Sequence, residues 1–173
     1  KRCFKAADVH EKTNIFEGEY YKEEKNIVIP EGVTVIAADT CSYFKKLENL
    51  TLPSTLVTIE RRAFNWCSKL KTVDFTRCKH LKEIGEEAFW RCEKLEEVDF
   101  SLSTQLKRIG DKTFSYCKKL QNIVLPDSVT FIGQEAFASC KALRLVVLPA
   151  SLEKLEDNVF THCEKLEEVD FSL

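Results

Sequence analysis

Ile59-x-x-x-Ala63-Phe64-x-x-Cys67-x-x-Leu70-x-x-Val73-x-Phe75 is the stretch from which the fold follows, because the chain repeats it. The same line returns as Ile84, Ala88, Phe89, Cys92, Leu95, Val98 and Phe100. It returns again as Ile109, Phe114, Cys117, Leu120, Ile123 and Leu125. Units begin near Val33, Leu56, Leu81, Leu106, Val129 and Leu152, at spacings of 23, 25, 25, 23 and 23 residues. A unit this short cannot bury its own apolar face, so successive units must stack into a solenoid.

Within a unit, Leu70-x-x-Val73-x-Phe75 alternates. Val73 and Phe75 point one way, and Thr72 and Asp74 the other, as in a short strand with one buried face. Six such strands in register make a parallel sheet with neighbours about 4.8 Å apart. Gly85-Glu-Glu-Ala-Phe-Trp-Arg-Cys92 predicts a short helical or 3₁₀ turn, with Ala88, Cys92 and Leu95 on its inward face. The longer units carry two extra residues after the second aromatic, in Phe75–Leu81 and Phe100–Leu106. The shorter ones have Pro there, at Pro53, Pro126 and Pro149. Extra residues at one point of the unit are the mark of a loop on one edge of the solenoid. The expected fold is therefore an α/β repeat solenoid, with one parallel sheet face and short helical turns. Residues 33–173 form six repeats, the last truncated. Residues 1–32 read as an N-terminal cap or the tail of a preceding segment, with Phe4, Val9, Ile15, Phe16 and Tyr20 available to cover the core.

The chain has 173 residues, 44% of them hydrophobic and 31% charged, and a net charge of −2. No global field would draw in nucleic acid or an anionic membrane. No apolar run approaches the ~18 residues of a membrane span. Five of the eight cysteines (Cys67, Cys92, Cys117, Cys140 and Cys163) share one slot of the repeat. That regularity points to packing. In the first unit Cys41 takes the Phe slot and Phe44 the Cys slot, a volume-conserving exchange that a metal ligand or nucleophile would not tolerate. Cys3 and Cys78 fall outside the pattern, and are the candidates for a reactive or paired thiol. His10, His80 and His162 lie in unrelated slots, and no catalytic or nucleotide-binding motif occurs. The expectation is no enzyme, no metal and no cofactor.

The slots resemble the BspA-type leucine-rich repeat, on Leu81, Ile84, Ala88, Phe89, Cys92, Leu95, Val98 and Phe100, and on Val129, Ile132, Ala136, Phe137, Cys140, Leu143, Val146, Leu148 and Pro149. The likeness covers residues 26–173. It implies a curved solenoid in a surface or secreted protein of a host-associated bacterium or protozoan, working in adhesion and in binding host proteins. It carries no catalytic residues with it.

Function is then sought on the exposed sheet face. One column runs Asn49, Thr72, Glu97, Asn122, Leu145, Glu168, and the other Thr51, Asp74, Asp99, Val124, Val147, Asp170. The candidate partner-binding residues are Asp74, Glu97, Asp99, Val124, Leu145, Val147 and Asp170, an apolar centre between acidic flanks. A protein partner with a basic rim would fit. The alternative is a structural spacer, self-associating through the C-terminal edge strand. Beside the face lies a lysine column (Lys46, Lys69, Lys94, Lys119, Lys165), which reads as a solvated edge paired with Glu93, Glu96 and Glu164. Trp66 and Trp90 read as outer-side residues packed on the neighbouring unit, or as anchors for a partner. Asn49-Leu50-Thr51 is a single glycosylation sequon.

Overall fold

The computed structural model describes residues 15, 16, 18 and 21–170. Each turn of the solenoid contributes one two-residue and one three-residue strand. In chain order the strands are β1 (Ile15–Phe16), β2 (Asn26–Val28), β3 (Val35–Ile36), β4 (Asn49–Thr51), β5 (Thr58–Ile59), β6 (Thr72–Asp74) and β7 (Glu83–Ile84). They continue with β8 (Glu97–Asp99), β9 (Arg108–Ile109), β10 (Asn122–Val124), β11 (Phe131–Ile132), β12 (Leu145–Val147), β13 (Lys154–Leu155) and β14 (Glu168–Asp170). The odd-numbered strands, of two residues each, form one seven-stranded parallel sheet, and the even-numbered strands, of three residues each, form a second, the long sheet.

The solenoid is thus the expected one, with two parallel sheets where the sequence suggested one. The long sheet has the expected register: Thr72 pairs with Asn49 and Glu97, and Val124 with Asp99 and Val147. Over its described residues, the segment 1–32 adds one strand to each sheet: Ile15–Phe16 pairs with Val35–Ile36, and Asn26–Val28 with Asn49–Thr51. Phe16 is fully buried. Phe4, Val9 and Tyr20 lie outside the described residues.

The stretch read as a helical turn is not helical. Glu87 and Arg91 have φ of 54° and 59°, and every unit repeats this pair, as in Arg62 and Trp66 or Lys112 and Tyr116. Each left-handed residue is the third of a tight turn, closed by Ala63 N to Glu60 O and Cys67 N to Phe64 O. That is the position where a type II turn needs positive φ. Alternate amides are freed to reach the next coil: Arg62 N donates to Glu86 O, Phe64 N to Ala88 O and Trp66 N to Trp90 O. A non-glycine residue in this region costs about 1–2 kcal/mol, and a hydrogen bond returns about 0.5–1.5. Two strained residues against three inter-turn bonds nearly cancel, so burial must decide. Ala88, Cys92 and Leu95 do all point inward, because two four-residue turns give the same spacing as a helix.

Burial comes from stacked columns. Phe64, Phe89, Phe114, Phe137 and Phe160 form a face-to-face ladder with centroids 5.3–5.9 Å apart. Each buried ring is worth roughly 1.5–3 kcal/mol. Gly110 allows adjacent coils to touch, since a Cβ there would lie 2.7 Å from Glu86 N. At the last turn Leu152, Phe160, Cys163, Leu166 and Val169 are only partly buried, and Leu155 is 39% exposed.

Candidate functional site

On the long sheet, Val124 and Leu145 stand out from adjacent strands, 47% and 45% exposed, with Val147 half-buried beside Val124. Glu97 and Asp99 lie one strand to one side, with Asp74 beyond them. Glu168 and Asp170 lie one strand to the other. The structure therefore brings the predicted residues onto one surface. Asp74 and Asp99 have work inside the chain. Asp74 accepts from the amide of Thr76 (3.0 Å) and its hydroxyl (2.6 Å), and Asp99 from the amide of Ser101 (2.8 Å). Both build the turn leaving the sheet, an Asx-type function. Their charge still faces the same side.

The apolar patch runs on past the strand ends. Val124 also lines a groove with Ser101, Thr104, Pro126, Asp127 and Ser128, and Leu102 is exposed in the same corner. The first row of the face, Asn26 and Val28, was not among the predicted positions, although Asn26-Ile27-Val28-Ile29-Pro30 carries the strand pattern. Val28 is exposed. Asn49, the sequon residue, donates from Nδ2 to Asn26 Oδ1 and accepts at Oδ1 from Thr72, so its amide belongs to a polar ladder.

The lysine column is solvated as expected, but its partners differ. Lys46 pairs with Glu23. Glu93 and Glu164 pair instead with Lys118 (2.9 Å) and Lys141 (2.6 Å). Lys69, Lys94 and Lys119 form no ion pair among the described residues.

The residues preceding the ladder cysteines converge more than their sequence positions suggest. Tyr43 stacks on Trp66 (5.9 Å, 11°), Trp66 meets Trp90 edge-on (5.6 Å, 83°), and Trp90 meets Tyr116 edge-on (6.3 Å, 86°). The Arg91 guanidinium carbon lies 4.6, 4.8 and 4.5 Å from the ring centres of Trp66, Trp90 and Tyr116. Ser139 continues the column without a ring, and His162 with an imidazole.

The described cysteines are part of the packing. Each ladder thiol donates to the Phe-slot carbonyl one turn below, as Cys117 does to Phe89 O at 3.4 Å. Burial pushes the Cys67 thiol up to about 12 and that of Cys163 up to about 11. Cys78, expected as an exception, is buried, reaches Pro53 O (3.7 Å), and is pushed up to about 12, chiefly by burial and then by the charge of Asp74. A thiol held protonated is a poor nucleophile. Cys3 lies outside the described residues. Among the described residues no three His, Cys, Asp or Glu side chains are gathered to hold a metal. No helix there is long and apolar enough to cross a membrane.

Comparison with known proteins agrees with this architecture. A leucine-rich repeat protein of T. pallidum superposes with a TM-score of 0.88 at 29% identity, covering 98% of this chain and 82% of its own. One from Bacteroides ovatus gives 0.79 at 31%, over 90% of this chain and 39% of its own. The pneumococcal vaccine antigen PcpA gives 0.74 at 28%, over 90% and 42%. This chain thus spans about two fifths of the latter two. A search among curated proteins returns no match. The family model for the BspA type leucine rich repeat region matches in six copies, over residues 13–106 and 99–173. The repeat, the register and the match agree, and the chain belongs to the BspA-type leucine-rich repeat family.

Proposed function

We propose that this chain is a non-enzymatic protein-binding module of a surface or secreted protein, with the outward face of the long sheet as its working surface. Leucine-rich repeat proteins generally mediate protein–protein contact, and a related structure is a leucine-rich cell surface protein of Faecalibacterium prausnitzii. The observation that carries the assignment is the exposed pair Val124 and Leu145, which opens into the Ser101–Ser128 groove and is bordered by Asp74, Glu97, Asp99, Glu168 and Asp170. An apolar centre inside a charged rim is the layout of a protein interface. The acidic rim selects a partner with a basic border, such as a host matrix or surface protein.

The test is a pull-down of purified matrix proteins by the wild-type chain and by a Leu145→Gln, Val124→Asn double variant. Loss of a saturable partner in the double variant supports the face, and equal capture by both overturns it. A second reading, self-association, draws on the half-exposed Leu152, Phe160, Cys163, Leu166 and Val169 of the last turn. Light scattering across a concentration series separates the two readings. A chain that stays monomeric removes the second.

A further inference from the structure

We propose a second and separate docking site on the turn face, centred on Arg91, that takes a carboxylate-rich segment of a partner protein. The guanidinium is gripped by Trp66, Trp90 and Tyr116, and its only ion pair among the described residues is a long one. Its Nε is buried and has no hydrogen-bond partner among the described residues, so a partner's carboxylate would meet the Nη groups. The carboxylate of Glu93 lies 4.0 Å from Nη1, beyond hydrogen-bond reach, and is held by Lys118 at 2.9 Å. The Arg91 side chain remains 28% exposed. Rings that fix a guanidinium leave its planar fork preorganised for a carboxylate.

The surroundings have the matching sign. Lys69 and Lys94 follow Trp66 and Arg91 by three residues in their turns, and Lys119 follows Tyr116 by three. They repeat at the ~4.8 Å spacing of the stacked coils, and none is ion-paired among the described residues. At the Tyr43 end a hollow is lined by Lys22, Lys45 and Lys46 with Glu23. Trp, Tyr and Arg are the residue types that dominate binding hot spots, and a lysine border steers an acidic partner. Charge complementarity therefore selects an acidic protein segment. Single-stranded nucleic acid is disfavoured, because it needs open ring faces. Here Tyr43 covers one face of Trp66, and Arg91 lies over Trp66, Trp90 and Tyr116. This site has the opposite sign to the long-sheet face and does not depend on it.

Trp66 and Trp90 are the two tryptophans of the chain, so intrinsic fluorescence reads this site directly. The experiment titrates the chain with a glutamate–tyrosine random copolymer, poly-L-lysine and heparin at two salt concentrations. The expected result is a saturable change in tryptophan emission with the copolymer, weaker at higher salt. Arg91→Gln should weaken it about tenfold, the loss of a charged hydrogen-bonded contact. Arg91→Lys should recover only part, and Leu145→Gln should change nothing. A Lys69→Gln, Lys94→Gln, Lys119→Gln triple variant, altered only at exposed positions, decides the matter if Arg91→Gln fails to fold; it should also weaken binding. Emission unmoved by the copolymer overturns the proposal, as does equal affinity of the variants. Binding of heparin in place of the copolymer overturns the protein segment in favour of a sulfated polysaccharide.

Discussion

The thiol of Cys92 lies 3.3 Å from the carbonyl oxygen of Phe64, one coil below, and donates to it. The same carbonyl accepts the amide of Cys67. The relationship repeats from Cys67 to Cys163, so the cysteine slot both fills volume and links coils.

Burial of these thiols makes the ladder sensitive to alkali. Burial holds the Cys67 and Cys78 thiols up to about 12, and those of Cys41, Cys92 and Cys140 are raised as well. In the unfolded chain thiols ionise near 8.5–9. Between those limits the folded state binds more protons, so stability falls as pH rises. It is unaffected below about pH 8, and each buried thiol takes away up to about 1.4 kcal/mol per pH unit above 9. Urea unfolding from pH 7 to 10.5 should show a steep loss. A Cys67→Ala, Cys92→Ala, Cys117→Ala variant should start less stable but lose less with pH. A flat profile for the wild type would refute the reading.

The phenylalanine ladder should show its geometry in mutational costs. Phe114 stacks on both Phe89 and Phe137, with interplanar angles of 1°. Phe114→Ala should cost about 3–5 kcal/mol. Phe160, on the half-covered last turn, stacks on Phe137 alone among the described residues. Phe160→Ala should cost about half as much. Equal costs in denaturant titration would show that the last turn is as well packed as the middle.

The long-sheet register was legible because a period of two, written once per unit, leaves one choice of buried face. The outward columns followed from it. The second sheet was not legible, since strands of two residues such as Arg108–Ile109 are too short to show alternation. The left-handed turns were hidden for another reason: Arg62, Trp66, Glu87 and Arg91 occupy them, and none is glycine. The Arg91 cluster was only partly readable. Tyr43, Trp66, Arg91 and Tyr116 share one slot, but Trp90 comes from the slot before it, where Asn65 and Ser115 stand in the neighbouring units. Asp74 and Asp99 looked like free recognition charges because the turn bond to a residue two further on leaves no periodic signal.

The left-handed positions can be tested at Asp39, which has φ of 58° and an exposed side chain, while its amide donates to Arg61 O at 3.0 Å. Asp39→Gly should leave stability within about 1 kcal/mol, because relief of strain offsets the looser unfolded chain. Asp39→Val should cost about 1–2 kcal/mol or more, since a β-branched residue resists positive φ. Thermal melts of the two variants check this; a Val variant as stable as the Gly variant would exclude a strained turn.

The sheet-face assignment makes a demand on stability as well as on binding. Val147 is half-buried and pairs in register with Val124 and Asp170. A carboxylate at Val147 would meet Asp170 across the ladder and lose part of its hydration, so Val147→Glu should cost about 1–2 kcal/mol. Leu145 projects into solvent between Asn122 and Glu168. Leu145→Gln should change stability by less than about 0.5 kcal/mol. Binding lost at Val147 alone therefore says little, whereas binding lost at Leu145 with an unchanged urea midpoint identifies a docking surface. If Leu145→Gln lowers the midpoint as far as Val147→Glu, the exposed pair serves packing, and the sheet face loses its claim to the partner.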